Sequence, residues 1–164
     1  ELAAVLGQMA IMELTENKNA TSASELAKRS IAESDRALSI SPQNVNFWKT
    51  RTKIFYAFSE FDPAYNDLAI QSLETALALS PFDPKITYNL AILYGRKGAN
   101  EIAIETLQKT IAIKPDYRDA YYALFVFYLE KKDTDKARTV LRTYLTDINP
   151  DDPDFRSKLE ELGQ

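Results

Sequence analysis

The 164-residue chain contains no cysteine and no histidine. Those two absences together remove disulfides, most zinc sites, imidazole acid–base chemistry and thiolate nucleophiles. A chain without cysteine fits either side of a membrane, so the compartment stays open. Glycine occurs only at 7, 95, 98 and 163, too scattered to build a phosphate-cradling loop. No apolar run approaches the ~20 residues of a membrane helix, and no signal peptide is visible. No pair of carboxylates stands in a recognisable acid–base arrangement. The chain is therefore expected to be non-catalytic, with no cofactor and no metal. It opens on Glu1, not Met, inside "ELAAVLGQMAIMEL", which already reads as helix and suggests an excised domain.

What is present is globular in kind, with 45% hydrophobic and 27% charged residues, enough for one domain with a core. The net charge of −4 is uneven. Residues 147–164 hold six acids and two bases, which leaves the rest neutral. A general nucleic-acid binder would more often be basic. The stretch "FWKTRTKIFY" at 47–56 interleaves aromatics with cations, as a base-stacking surface does. Here, however, the aromatics fall on core positions, and no nucleic acid is expected.

The clearest signal is an internal repeat. Prolines end apolar stretches at 42, 81, 115 and 150, spaced by 39, 34 and 35 residues. Ala69 and Ala103 each sit twelve residues before one of these prolines, and Ala137 sits thirteen before Pro150. Small residues at fixed places in a 34-residue period call for closely approaching helices. Ile86, Leu90, Leu93 and Tyr94 follow helical spacing, as do Ala103, Ile104, Leu107 and Ile111. Asp83-Pro84 and Asp152-Pro153 read as an N-cap followed by proline in the first turn. Ser22 with Glu25 reads as a capping box that opens a long second helix. Asp62-Pro63 suggests that the five extra residues of the 39-residue interval lengthen the start of a helix. The first two B helices are thus expected to exceed the later ones by about a turn.

On these residues the chain resembles the tetratricopeptide repeat family. Leu90, Ala91, Tyr94, Gly98, Ala103, Leu107 and Pro115 match its pattern, as do Tyr121, Leu124, Tyr128, Ala137 and Leu141, and Trp48, Phe55, Ala69, Leu73, Ala76 and Pro81. Thr87, Thr110 and Phe125 depart from it, and Ser30 and Ser34 make the first repeat degenerate. The resemblance implies an all-α right-handed superhelix, an α-solenoid of about four helix–turn–helix repeats in one domain over 1–164. Repeat 1 is ~1–44, repeat 2 is 45–83 with an extended helix B, repeat 3 is 84–117 and repeat 4 is 118–152. A polar helix at 153–163 is expected to cap the stack, a structural role.

The resemblance also implies a protein–protein interaction scaffold whose concave groove is lined by helix A. Carried onto this chain, the lining is Asn46, Lys49, Thr50, Lys53, Tyr56 and Ala57, then Lys85, Tyr88, Asn89, Ile92, Gly95 and Arg96, then Asp119, Tyr122, Ala123, Val126, Leu129 and Glu130. A cationic flank beside an aromatic–apolar flank suits a protein or peptide with an acidic group and an apolar anchor. A face used mainly for docking inside a larger protein remains the alternative. The family's carboxylate clamp matches only at Lys49 and Asn89, while Lys53, Asp119 and Ala123 depart, so a chaperone C-terminus is not expected. Arg51 occupies a position that is leucine in later repeats. It is expected to find a carboxylate, Glu33 or Asp35, or else to reach the groove. Asn19-Ala-Thr21 matches a glycosylation sequon, a short motif that arises by chance.

"NVNFWKTRTKIFY", "SPFDPKITYNLAILYGRKG" and "KPDYRDAYYAL" resemble the C-terminal repeat region of bacterial O-antigen ligase or polymerase-like membrane proteins. That resemblance implies an accessory soluble domain, tethered to a membrane through its parent without inserting itself. A third alternative is self-association through the apolar face of "LAAVLGQMAIM".

Overall fold

The computed structural model describes residues 1–163. Among these residues there are nine α-helices and no strand. The chain forms two compact units, Glu1–Pro81 and Phe82–Gln164.

The first unit holds α1 (Leu2–Thr15), α2 (Ala20–Ile40), α3 (Val45–Phe58) and α4 (Ala64–Leu79). Short turns fold α1 onto α2 and α3 onto α4, and α1 and α2 both touch α3. Ala3, Ala10, Ile54 and Phe58 form its centre. The serines that break the repeat pattern have partners here. Ser30 is fully buried, and its hydroxyl donates to the Ala3 carbonyl at 2.7 Å. This satisfies a polar group that would otherwise be costly. Gly7 permits the close crossing, since a Cβ there would lie 3.1 Å from Ser30 Oγ. Ser34 accepts from Arg51 at 3.3 Å, and Arg51 also pairs with Asp35, one of its two expected carboxylates. The guanidinium lies 4.9 Å from the centre of the Phe55 ring. Asp35 is exposed, so the pair contributes at most about 1 kcal/mol.

Two expectations about helix ends need correction. The second helix does not open at Ser22: Asn19 is its N-cap and accepts the Ser22 N–H at 3.1 Å. Starting three residues earlier gains backbone hydrogen bonds at low cost once the helix is nucleated. α2 therefore spans 21 residues against 14 for the fourth B helix, an excess of about two turns. α4 spans only 16. Relative to the next repeat, the five extra residues of repeat 2 divide into one in helix A, two in the turn and two in helix B. Ile54 and Phe55 are buried as expected, but Phe47 and Trp48 are only half-buried. Trp48 donates its indole N–H to the Pro42 carbonyl at 2.7 Å, a polar anchor that keeps the ring at the surface.

The second unit holds α5 (Pro84–Arg96), α6 (Asn100–Ile113), α7 (Arg118–Glu130), α8 (Thr134–Asp147) and α9 (Pro153–Glu161). α5 packs on α6, α6 on α7, α7 on α8 and α8 on α9, and α5 also touches α7. Asp83 caps α5 by accepting the N–H groups of Lys85 and Ile86. Ala91, Ala103, Leu107, Ala120, Ala137, Leu141 and Phe155 are fully enclosed. The departures from the repeat pattern are accommodated locally. Thr87 and Thr110 are buried, and each hydroxyl donates to the carbonyl four residues back, Asp83 at 2.9 Å and Thr106 at 3.0 Å. Phe125 fills its site with the Tyr122 ring 5.9 Å away.

The turns α5–α6 and α7–α8 share one left-handed residue: Gly98 at φ +81° and, 34 positions later, Lys132 at φ +59°. Glycine takes this conformation freely, whereas an L side chain costs about 1 kcal/mol or more. Gly98→Ala should destabilise the protein by about 1 kcal/mol. Lys132→Gly should instead stabilise it by a few tenths to about 1 kcal/mol, part of the relief being offset by the looser unfolded chain. Urea denaturation of the two variants should give midpoints that move in opposite directions.

Candidate functional site

Asp119, Tyr122, Ala123, Val126 and Glu130 recur at three- and four-residue steps along α7, so they share one face. In the second unit that face forms the floor of a groove of about 620 Å³. Tyr88 and Ile92 of α5 form one wall. The opposite wall is α9, through Asp154, Ser157 and Lys158, and Arg118 and Phe127 complete the lining. The volume is in the range of ligand-binding clefts. Phe127 sits where it does because residue 95 is glycine: a Cβ at Gly95 would fall 2.2 Å from Phe127 Cζ.

α9 is fastened at three points. At its N-terminus Asp152 accepts the N–H groups of Asp154 and Phe155, both at 3.2 Å. The same carboxylate receives two bonds from Arg118, Nε at 2.7 Å and Nη2 at 3.1 Å. Arg118 also reaches Asp154 at 2.6 Å, and its guanidinium lies 5.2 Å from the Phe155 ring centre. In the middle, Phe155 is fully buried with its ring 4.2 Å from that of Tyr144. At the C-terminus Arg138 donates to the Leu162 carbonyl at 2.6 Å, satisfying a group that a helix end leaves open. Asp152 is only 4% exposed, which is tolerable because its carboxylate accepts from Arg118 and from two backbone N–H groups. Arg118 and these donors hold its carboxyl below the usual carboxylate range, and Asp152 in turn raises the Arg118 guanidinium above its ordinary value.

The groove floor is apolar and aromatic, and its free charges are negative. Asp119 and Glu130 have no hydrogen-bond or ion-pair partner among the described residues. Arg118 is committed to two aspartates and Lys158 to Glu161. Burial and then the charge of Asp119 push up the phenols of Tyr88 and Tyr117, whose rings lie 5.4 Å apart.

Of the residues expected to face a partner, the groove gathers Tyr88, Ile92, Asp119, Tyr122, Ala123, Val126 and Glu130. Lys85, Asn89 and Arg96 are exposed on α5 outside this lining. Gly95 is covered by Phe127. Asn46, Lys49, Lys53 and Tyr56 belong to α3 of the first unit, where Asn46, Lys53 and Tyr56 are exposed and Lys49 is half-buried. The α9 wall was not expected. Its signal was nonetheless in the sequence: Asp154, Ser157 and Lys158 stand at i, i+3 and i+4 and so form one polar stripe along the helix.

Residues 66–118 match one tetratricopeptide repeat model and residues 96–162 match another, so together they span 66–162. The chain belongs to the tetratricopeptide repeat family. No curated protein matches it. Solved structures of similar fold include MamA, at 22% identity over 88% of this chain and 81% of that one, with a TM-score of 0.65. TTC0263, a thermophilic tetratricopeptide protein of Thermus thermophilus, is 16% identical over 98% of each chain, with a TM-score of 0.65. The first tetratricopeptide domain of Spaghetti (RPAP3), bound to the HSP90 peptide SRMEEVD, is 17% identical over 70% of this chain and 94% of that one, with a TM-score of 0.53. At these identities the likeness is one of fold. Tetratricopeptide repeats generally mediate protein–protein interaction as non-catalytic scaffolds.

The depressed Asp152 carboxyl makes a pH prediction. Its stabilisation is complete above the unfolded carboxylate value near 4 and is lost as pH falls through the lower folded value. Asp152→Asn keeps a competent helix cap but removes the ion pair. The variant should be less stable at pH 7 and should lose less stability between about pH 5 and 2 than the native chain. Denaturation midpoints measured across that range check this; parallel curves would place the pH dependence elsewhere.

Proposed function

We propose that the chain is a non-catalytic interaction module that receives a segment of a partner protein against the aromatic floor of the second unit's groove. The observation that carries this reading is the groove itself, about 620 Å³ lined by Tyr88, Ile92, Tyr122, Val126 and Phe127. Such a floor supplies the buried anchor site that dominates peptide recognition. Lys85, Asn89 and Arg96 on α5, and Asn46, Lys49, Lys53 and Tyr56 on α3, are proposed as further contacts. The α3 cations are what supports a partner with an acidic group.

A second reading is self-association through α1. Leu2, Val5, Met9 and Met12 are 56%, 55%, 43% and 41% exposed. Their spacing of three, four and three residues draws one apolar stripe along the helix. The accessory-domain reading, beside a multi-span O-antigen ligase or polymerase-like parent, rests on the sequence phrases alone. Upstream coding sequence with many ~20-residue apolar spans would support it.

Val126→Asp places a charge in the floor of the groove at a half-buried position that also packs against the core, so its folding is first verified by circular dichroism. It should abolish capture of the partner from lysate of the cell of origin, while Lys49→Glu/Lys53→Glu should weaken it. Capture unchanged by Val126→Asp but lost in the α3 double variant would move the site to α3. For self-association, light scattering should show a mass that rises with concentration in the native chain and stays monomeric in Met9→Lys. A constant monomeric mass in the native chain rejects that reading.

A further inference from the structure

The charge pattern of the groove is opposite to the one that an acidic partner needs. Asp119 and Glu130 stand at opposite ends of the α7 face, and neither has a partner among the described residues. The two cations of the lining are already engaged: Arg118 with Asp152 and Asp154, Lys158 with Glu161. Between the two free carboxylates lie Tyr122 and Val126, with Ile92 across from them. The negative field already acts on neighbours, since Asp119 contributes to the raised phenols of Tyr88 and Tyr117.

Geometry limits the ligand. Asp119 and Glu130 lie eleven positions apart on α7, about 16 Å at the helical rise. An extended chain covers that length in about five residues. We propose that the groove selects an extended protein segment with an apolar or aromatic anchor between two basic residues about five positions apart, one facing Asp119 and the other Glu130. This rests on the groove being the partner site. It specifies the sign and spacing of what enters. Electrostatic complementarity of this kind chiefly sets selectivity and encounter rate, while the anchor in the apolar floor supplies most of the affinity.

The test uses the full chain and three pools of fluorescein-labelled nine-residue peptides. All pools carry Leu or Phe at the two central positions between a fixed pair five apart. The fixed pair is Lys in one pool, Gln in the second and Glu in the third. Fluorescence anisotropy at low salt should rank Lys over Gln over Glu, with about threefold to tenfold tighter binding for Lys over Gln. The advantage should shrink as salt rises. Asp119→Asn/Glu130→Gln, two exposed substitutions whose folding circular dichroism verifies, should erase the ranking while keeping Gln-pool binding. Val126→Asp, at a position packed against the core and therefore verified for folding in the same way, should abolish all binding. Equal binding of the three pools, or a Lys preference that survives Asp119→Asn/Glu130→Gln, overturns the charge inference and leaves the groove reading standing if Val126→Asp still abolishes binding. Binding indifferent to Val126→Asp, or no binding by any pool, overturns both.

Discussion

Three alanines 34 residues apart, Ala69, Ala103 and Ala137, are each wholly enclosed. Each sits on the second helix of a pair, where any larger side chain would force the helices apart. The close approach they permit fixes how helix A is presented in each pair. The α7 face can serve as a groove floor because the residues behind it, Ala120, Leu124 and Tyr128, are held against α8 and α6 at a set depth. The same constraint recurs at Gly7 and Gly95, where a backbone lies so near a side chain that a methyl group would crowd it at the first and collide with it at the second. Small residues thus place the large ones, and Phe127 owes its position in the groove to the missing Cβ of Gly95.

The parts of the fold that depend on periodicity were legible in the sequence. The 34-residue spacing of prolines and alanines announced helix pairs, and Asp83-Pro84 and Asp152-Pro153 marked real helix starts. What depends on competition between neighbouring options was less legible. Asn19 and Ser22 are both competent caps, and the choice fell to the one that gave the longer helix. The extra residues of repeat 2 were shared among two helices and a turn, a division that the spacing of the prolines alone does not specify. The substitutions that blur the family pattern were opaque for another reason. Ser30, Thr87 and Thr110 are read as polar in sequence, yet each finds a carbonyl that only the folded backbone brings within reach.

The groove was half visible. Helix periodicity along α7 identified its floor, since that signal lies within one element. The local charge at the α7 groove was not legible, because residue type alone does not show pairing. Arg118 and Lys158 count as cations in composition but are spent on Asp152, Asp154 and Glu161. The carboxylates that remain free, Asp119 and Glu130, then set the local sign. A linear reading cannot see this, because the partners that cancel Arg118 lie 34 and 36 positions away.

α9 closes the core through Phe155 and walls the groove through the adjoining Asp154, Ser157 and Lys158, so one short helix carries two functions on a shared equilibrium. Its docking is held by a carboxylate, a ring and a carbonyl, at Asp152, Phe155 and Leu162, all on the helix or its two caps. Whatever fraction of molecules has this helix released also lacks one wall of the groove, and the affinity measured for any occupant is scaled by the docked fraction. An occupant that leans on α9 raises that fraction in return, so occupancy and the local protection of α9 against hydrogen exchange rise and fall together.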